Sequence, residues 1–114
     1  MNLVVLEGAV IRDPDERQLA SGQVVLSFDV AASSDAGPPE SVPVSWPDPD
    51  RRVPLTAGLD LIVVGRVRRR FFRAGGATQS RTVVVAARVV PVRHRVRART
   101  AVAEAVDKLA ERSA

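Results

Sequence analysis

Two arginine-rich runs hold the residue types that recognise a polyanion. Arg66, Arg68, Arg69, Arg70 and Arg73 surround Phe71 and Phe72, while Arg93, Arg95, Arg97 and Arg99 alternate with Val92, His94, Val96 and Ala98. Guanidinium groups neutralise phosphates and stack on bases, and an exposed aromatic ring offers a platform to any base. The combination suits single strands, whose bases are free to stack; a duplex hides them. From residue 66 to residue 99 there are eleven arginines and no acid. GC-rich coding would explain arginine in place of lysine but not the missing Asp and Glu. A stretch of one sign repels itself unless it meets a polyanion, so nucleic acid or another acidic surface is the expected partner. The net charge of +4 conceals the division: residues 1–60 hold four arginines against ten acids, and residues 61–114 hold thirteen cations against three acids.

Catalytic constellations are not expected. His94 is the sole histidine, with no cysteine or second histidine to complete a metal site, and nothing points to the orienting partner that a nucleophile–base pair would need. Gly75-Gly76 lacks the GxxxxGK[ST] spacing that cradles phosphates. Asp13, Asp15 and Glu16 cluster where turns select acids, and Asp48 and Asp50 sit in a Pro/Asp loop. The expectation is a binding protein with no catalytic residue, no metal and no cofactor.

The elements that must hold the arginines are strands. Residues 3–11 form a first β-branched run, and Val24, Leu26, Phe28 and Val30 alternate with polar or small residues in a second. Residues 41–46 give a short third strand, with Pro43 suited to an edge or a bulge. Residues 61–70 and 78–90 give a fourth and a fifth, joined by Ala74-Gly75-Gly76-Ala77 as the tip of a long hairpin. Residues 55–59 carry only a weak signal, for a helical turn or an irregular crossing. Five strands with regular turns suggest a small barrel, which removes the exposed edges of an open sheet. Alternation in the fourth strand sets Arg66, Arg68, Arg70 and Phe72 on one face and Val67, Arg69 and Phe71 on the other. Below Gly65 that strand is apolar on both sides and above it basic and aromatic, so it should leave the core there as a hairpin arm. Gly65 itself marks a bulge or a tight barrel bend.

Residues 93–99, if extended, present an all-arginine face. Thr100 can cap a short helix after them, on which Val102, Val106 and Leu109 make one apolar stripe, to dock on the barrel or on a second subunit. Glu104 and Lys108 form an i,i+4 pair. Aromatics are few. Phe28 continues a core face, Phe72 is the expected stacking ring, and Trp46 fits either a core position beside Val42 and Val44 or a groove platform at its strand's end. At 114 residues, 46% hydrophobic and 26% charged, the chain suits a single small globular core. Without cysteine, a basic leader or an apolar run of about 20 residues, a cytoplasmic, nucleoid-associated location is expected.

Residues 3–15 followed by Ser21-Gly22-Gln-Val-Val-Leu-Ser-Phe-Asp-Val-Ala, and then Thr56-Ala-Gly-Leu-Asp-Leu-Ile-Val-Val-Gly-Arg-Val-Arg-Arg-Arg-Phe-Phe, resemble the bacterial single-stranded-DNA-binding protein family in order and character. The resemblance covers about residues 2–90. It implies an all-β, five-stranded OB-fold barrel over residues 1–92, a basic arm and short helix over 93–114, homo-oligomerisation as a tetramer or dimer, and a single-strand groove. Residue by residue, Phe72 resembles the family's aromatic in the region of strands four and five, Trp46 the one closing strand three, and Arg66, Arg68 and Arg70 its basic strand-four positions. The aromatic after strand two and the one at the start of strand three have no counterpart in residues 31–37 or at Glu40. The ending also departs: the family's acidic, phenylalanine-ended tip is replaced by Glu111-Arg-Ser-Ala. In this the chain is similar to the tail-less primosomal replication protein N family.

The resulting expectation is non-catalytic binding of single-stranded DNA, with little sequence preference, in replication, recombination or repair. Trp46 and Phe72 stack bases, Arg66, Arg68, Arg70, Arg73 and Arg81 line the hairpin groove, and Arg93, Arg95, Arg97 and Arg99 add phosphate contacts. Val102, Val106 and Leu109 make the oligomer contact. Two other readings remain: a protein-interaction or primosome accessory module with secondary nucleic-acid binding, and single-stranded RNA binding.

Overall fold

A computed structural model describes residues 1–113. Six strands, β1 (Val4–Val10), β2 (Asp15–Gln18), β3 (Val24–Ala32), β4 (Glu40–Pro47), β5 (Asp60–Ala74) and β6 (Ala77–Pro91), precede one helix, α1 (Arg95–Ser113). The strands join in the order β1-β5-β6-β4-β3-β2, and β1 also pairs with β3. Five strands thus close a ring of hydrogen bonds, and β2 hangs outside it as the partner of β3 alone. All neighbours are antiparallel except β4 and β6, which meet in parallel at Val44–Val84 and Ser45–Val85.

The ring closes because period-two alternation turns one face of each strand inward. Val10, Leu26, Phe28, Val30, Val44, Trp46, Leu61, Val63, Val84 and Val89 fill the interior, and Val53, Leu55 and Leu59 from the 48–59 loop pack against them. That loop contains neither helix nor strand. Two glycines allow closure. A Cβ on Gly8 would collide with the Ala31 carbonyl where β1 passes from β5 to β3, and one on Gly65 would collide with the Val85 carbonyl. A register shift follows Val64, so that Val64 pairs with Arg88 but Gly65 with Ala86, leaving Ala87 bulged. Of the bulge or tight bend expected at Gly65, the structure shows the bulge, with its extra residue on β6 opposite.

Three expectations are corrected. The strand count is six, because β2 lies where only a turn was expected; all four of its residues are exposed, so no hydrophobic alternation announces it. The segment expected to be extended over 93–99 is helical from Arg95, with the His94 carbonyl accepting the first helical bond from Ala98. Thr100 is accordingly no cap: it lies within the helix, and its hydroxyl donates to the Val96 carbonyl. The stripe that docks on the barrel is also different. Ala98, Ala101 and Ala105, spaced three and four apart, pack on Val64, Val90, Ile62 and Leu3 over the outer face of the sheet. Small side chains let the helix lie close. Val102 is half-buried beside this contact, whereas Val106 and Leu109 are exposed.

Candidate nucleic-acid interface

Past Gly65, β5 and β6 leave the barrel as a two-stranded arm. Within it, residues 69–74 and 77–82 pair with each other and with no other strand, a reach of about 20 Å at about 3.3 Å per residue. Gly75 and Gly76, with φ of 60° and 79°, make the two-residue turn whose twist suits a hairpin. Cross-strand register assigns the faces. Arg66, Arg68, Arg70 and Phe72 stand opposite Val85, Val83, Arg81 and Gln79 on the outer face. Val67, Arg69, Phe71 and Arg73 stand opposite Val84, Thr82, Ser80 and Thr78 on the face continuous with the barrel interior.

The outer face runs into a groove of about 500 Å³, bounded by Arg70 and Arg81 from the arm, Ser27 and Asp29 of β3, Ser45 of β4, and Arg12, Asp13 and Asp15 at the β1–β2 connection. Across it, Arg12 Nη2 meets Asp29 Oδ2 at 3.4 Å, and Arg81 Nη2 meets Asp29 Oδ1 at 3.6 Å. Among the described residues, Arg66, Arg68, Arg69, Arg70 and Arg73 have no carboxylate within ion-pair distance. Arg70 and Arg81 face each other directly, a like-charge pair that costs stability and that the Asp29 carboxylate beside Arg81 offsets in part. Phe72 is 44% exposed and Phe71 70% exposed, so neither ring belongs to the core.

Several expected site residues lie elsewhere. Trp46 is corrected: at 4% exposure it is a core residue, pairing with Leu26 across the β3–β4 ladder. Its parity with Val42 and Val44 turns the ring inward, where a chain with so few aromatics uses its bulk to fill the barrel. It cannot serve as a platform without the barrel opening. Arg73 is on the face opposite Phe72, and its Nη2 donates to the Gly76 carbonyl at 3.4 Å. The arginines after Pro91 do not form one strip. At about 100° per residue, helix geometry separates what strand geometry would align. Arg95 and Arg99 border a groove with Glu7, Arg97 faces a cleft holding Asp50 and Arg52, and Arg93 is exposed ahead of the helix. Arg88 is ion-paired with Glu104 of α1.

Arg12, Ser27, Asp29 and Ser45 are the groove residues that sequence reasoning did not single out. For Ser27, Asp29 and Ser45 the available signal is their polar, odd-numbered position on β3 and β4, since alternation makes that the outer face. Away from the groove, Arg51 holds the Glu16 carboxyl below its usual range by hydrogen bond and charge, and Arg52 does the same to Asp50. No group of three or more His, Cys, Asp or Glu placed to hold a metal ion occurs among the described residues. No family model matches the chain, and no curated protein matches it.

Proposed function

We propose that this chain is an OB-fold protein that binds single-stranded DNA with little sequence preference, without catalysing a reaction, in replication, recombination or repair. The observation that carries the reading is the arm: a hairpin with unpaired arginines and two exposed phenylalanines, opening onto a groove at its base. The ring order β1-β3-β4-β6-β5-β1, with its one parallel contact between β4 and β6, supports the OB assignment. In that architecture oligonucleotides lie on the second and third barrel strands, between the first connection and the last hairpin. Ser27 and Ser45, Arg12, and Arg70 with Arg81 stand at the corresponding sites here. Phe72 stacks a base, and Arg66, Arg68, Arg70 and Arg81 take phosphates. Arg93, Arg95, Arg97 and Arg99 extend the basic surface beyond the groove.

The functional unit in this reading is a homo-oligomer. Val106, 56% exposed on α1, and the half-buried Val102 favour a contact with a second copy, to which Leu109 adds area. Anisotropy titrations of labelled oligo-dT, oligo-U and matched duplex at several salt concentrations test the function. The expected result is tighter binding of oligo-dT than of duplex, with log K falling by about 0.7 per phosphate neutralised for each unit of log salt. Equal affinity for duplex, or no binding of either single strand, would overturn it; preference for oligo-U would move the substrate to RNA.

A further inference from the structure

Three acids, Asp13, Asp15 and Asp29, line the groove beside Arg12, Arg70 and Arg81, and of the three only Asp29 is ion-paired with those arginines. Its two carboxylate oxygens are divided between two guanidinium groups from opposite walls of the groove, Oδ2 towards Arg12 and Oδ1 towards Arg81. This is the valence and spacing that a backbone phosphate offers to a pair of arginines. The fold gains little from it. Arg12 and Arg81 are 79% and 58% exposed in their side chains against 22% for Asp29, and ion pairs with cations so exposed contribute little to stability. Of the ion pairs among the described residues, Arg81–Asp29 alone joins the basic second half of the sequence to the acidic first half. An acid so placed reduces repulsion between Arg81 and the facing Arg70, and it holds both arginines over the groove.

We propose that Asp29 is a built-in competitor for the strand's phosphates: it holds Arg12 and Arg81 across the empty groove, and a backbone phosphate takes those two arginines over when a strand binds. The inference rests on the single-strand reading above and adds to it a residue that limits affinity. Arg12 and Arg81 are long enough to swing outward to a phosphate, whereas Asp29 is fixed on β3. Exchanging one anionic partner for another lowers the net gain per contact and lets the strand leave.

Neutralising Asp29 should therefore strengthen binding. Oligo-dT affinity is measured for the wild-type chain, Asp29→Asn, Arg12→Gln/Arg81→Gln, and the triple variant, with Asp29→Ser as a second route to a neutral position and thermal melting as the check on folding. Asp29→Asn should bind about three- to ten-fold more tightly at about 0.1 M salt. Its log K against log salt should steepen by about 0.7 for each arginine released. In the background lacking both arginines, the same substitution should gain nothing. A gain of equal size in that background would make Asp29 a mere contributor to the local field, and unchanged or weaker binding by both neutral variants would overturn the proposal while leaving the single-strand reading intact. Failure of the wild-type chain to bind oligo-dT would remove that reading and the competitor with it.

Discussion

Phe72 and Trp46 occupy comparable sequence settings, each near the end of a strand's regular pattern, yet the barrel gives them opposite roles. Phe72 stands on an arm with no core beneath it, so Phe72→Ala should lower oligo-dT affinity by about 1–3 kcal/mol and leave the melting temperature almost unchanged. Trp46 is enclosed, so Trp46→Ala should cost about 3–5 kcal/mol of stability. Denaturant titration beside anisotropy separates the two; a large loss of stability in the Phe72 variant would return that ring to the core. At this scale the sequence was half legible. Parity with Val42 and Val44 pointed Trp46 inward, but alternation cannot tell whether the last residue of a strand lies under the neighbouring layer or beyond its edge. Asp29 was legible as an outward residue and illegible as a partner of Arg81, since that contact spans 52 positions and depends on how the barrel closes.

Among the elements, long strands announced themselves and the short exposed one did not. The apolar alternation of β3, the change of character at Gly65 and the Gly75-Gly76 turn all correspond to observed features. Strand β2 carries no such pattern because both of its faces meet solvent. The run from Arg93 to Arg99 misled for a different reason. Alternating large and charged residues satisfy a period of two over seven positions, and only the alanines at 98, 101 and 105 disclose the helical period. Closure of the barrel depends on glycine at two close crossings of the chain. Gly65→Ala sets a methyl group against the Val85 carbonyl and should cost about 2 kcal/mol or more, read as a lower denaturation midpoint. Gly76→Ala, at the open hairpin tip, meets no atom and strains only its own positive φ, so it should cost less. Equal effects of the two would deny that closure at Gly65 is tight.

Across the whole molecule, charge is distributed rather than neutralised. Acids of the first half pair mainly with arginines of the same half, Glu16 with Arg51 and Asp50 with Arg52, which leaves the arm's arginines largely without partners. The same pairs set a pH dependence. Arg51 and Arg52 lower the folded-state pKa values of Glu16 and Asp50, so their contribution is present above the ordinary carboxylate range and is lost as pH falls through the depressed values. Because these groups are at the surface, the acid loss should be small and weaker still in high salt. Denaturant midpoints followed downwards from neutral pH check this, and the Arg51→Gln/Arg52→Gln variant should show a shallower decline; an identical decline would assign the acid sensitivity to other carboxylates.

In the proposed function the arm, and not the barrel alone, binds a single strand. This is tested most directly by the salt dependence of oligo-dT binding for the intact chain and for a chain in which residues 69–82 are replaced by a two-residue Asn-Gly turn between Arg68 and Val83. Those two residues already pair, and the replaced segment contributes nothing to the buried core, so the shortened chain should fold. The shortened chain should lose most of its affinity, and its log–log salt slope should become shallower by about 1.4 or more, for the phosphates taken by Arg70 and Arg81. Undiminished affinity with an unchanged slope in a folded, shortened chain would contradict that role of the arm.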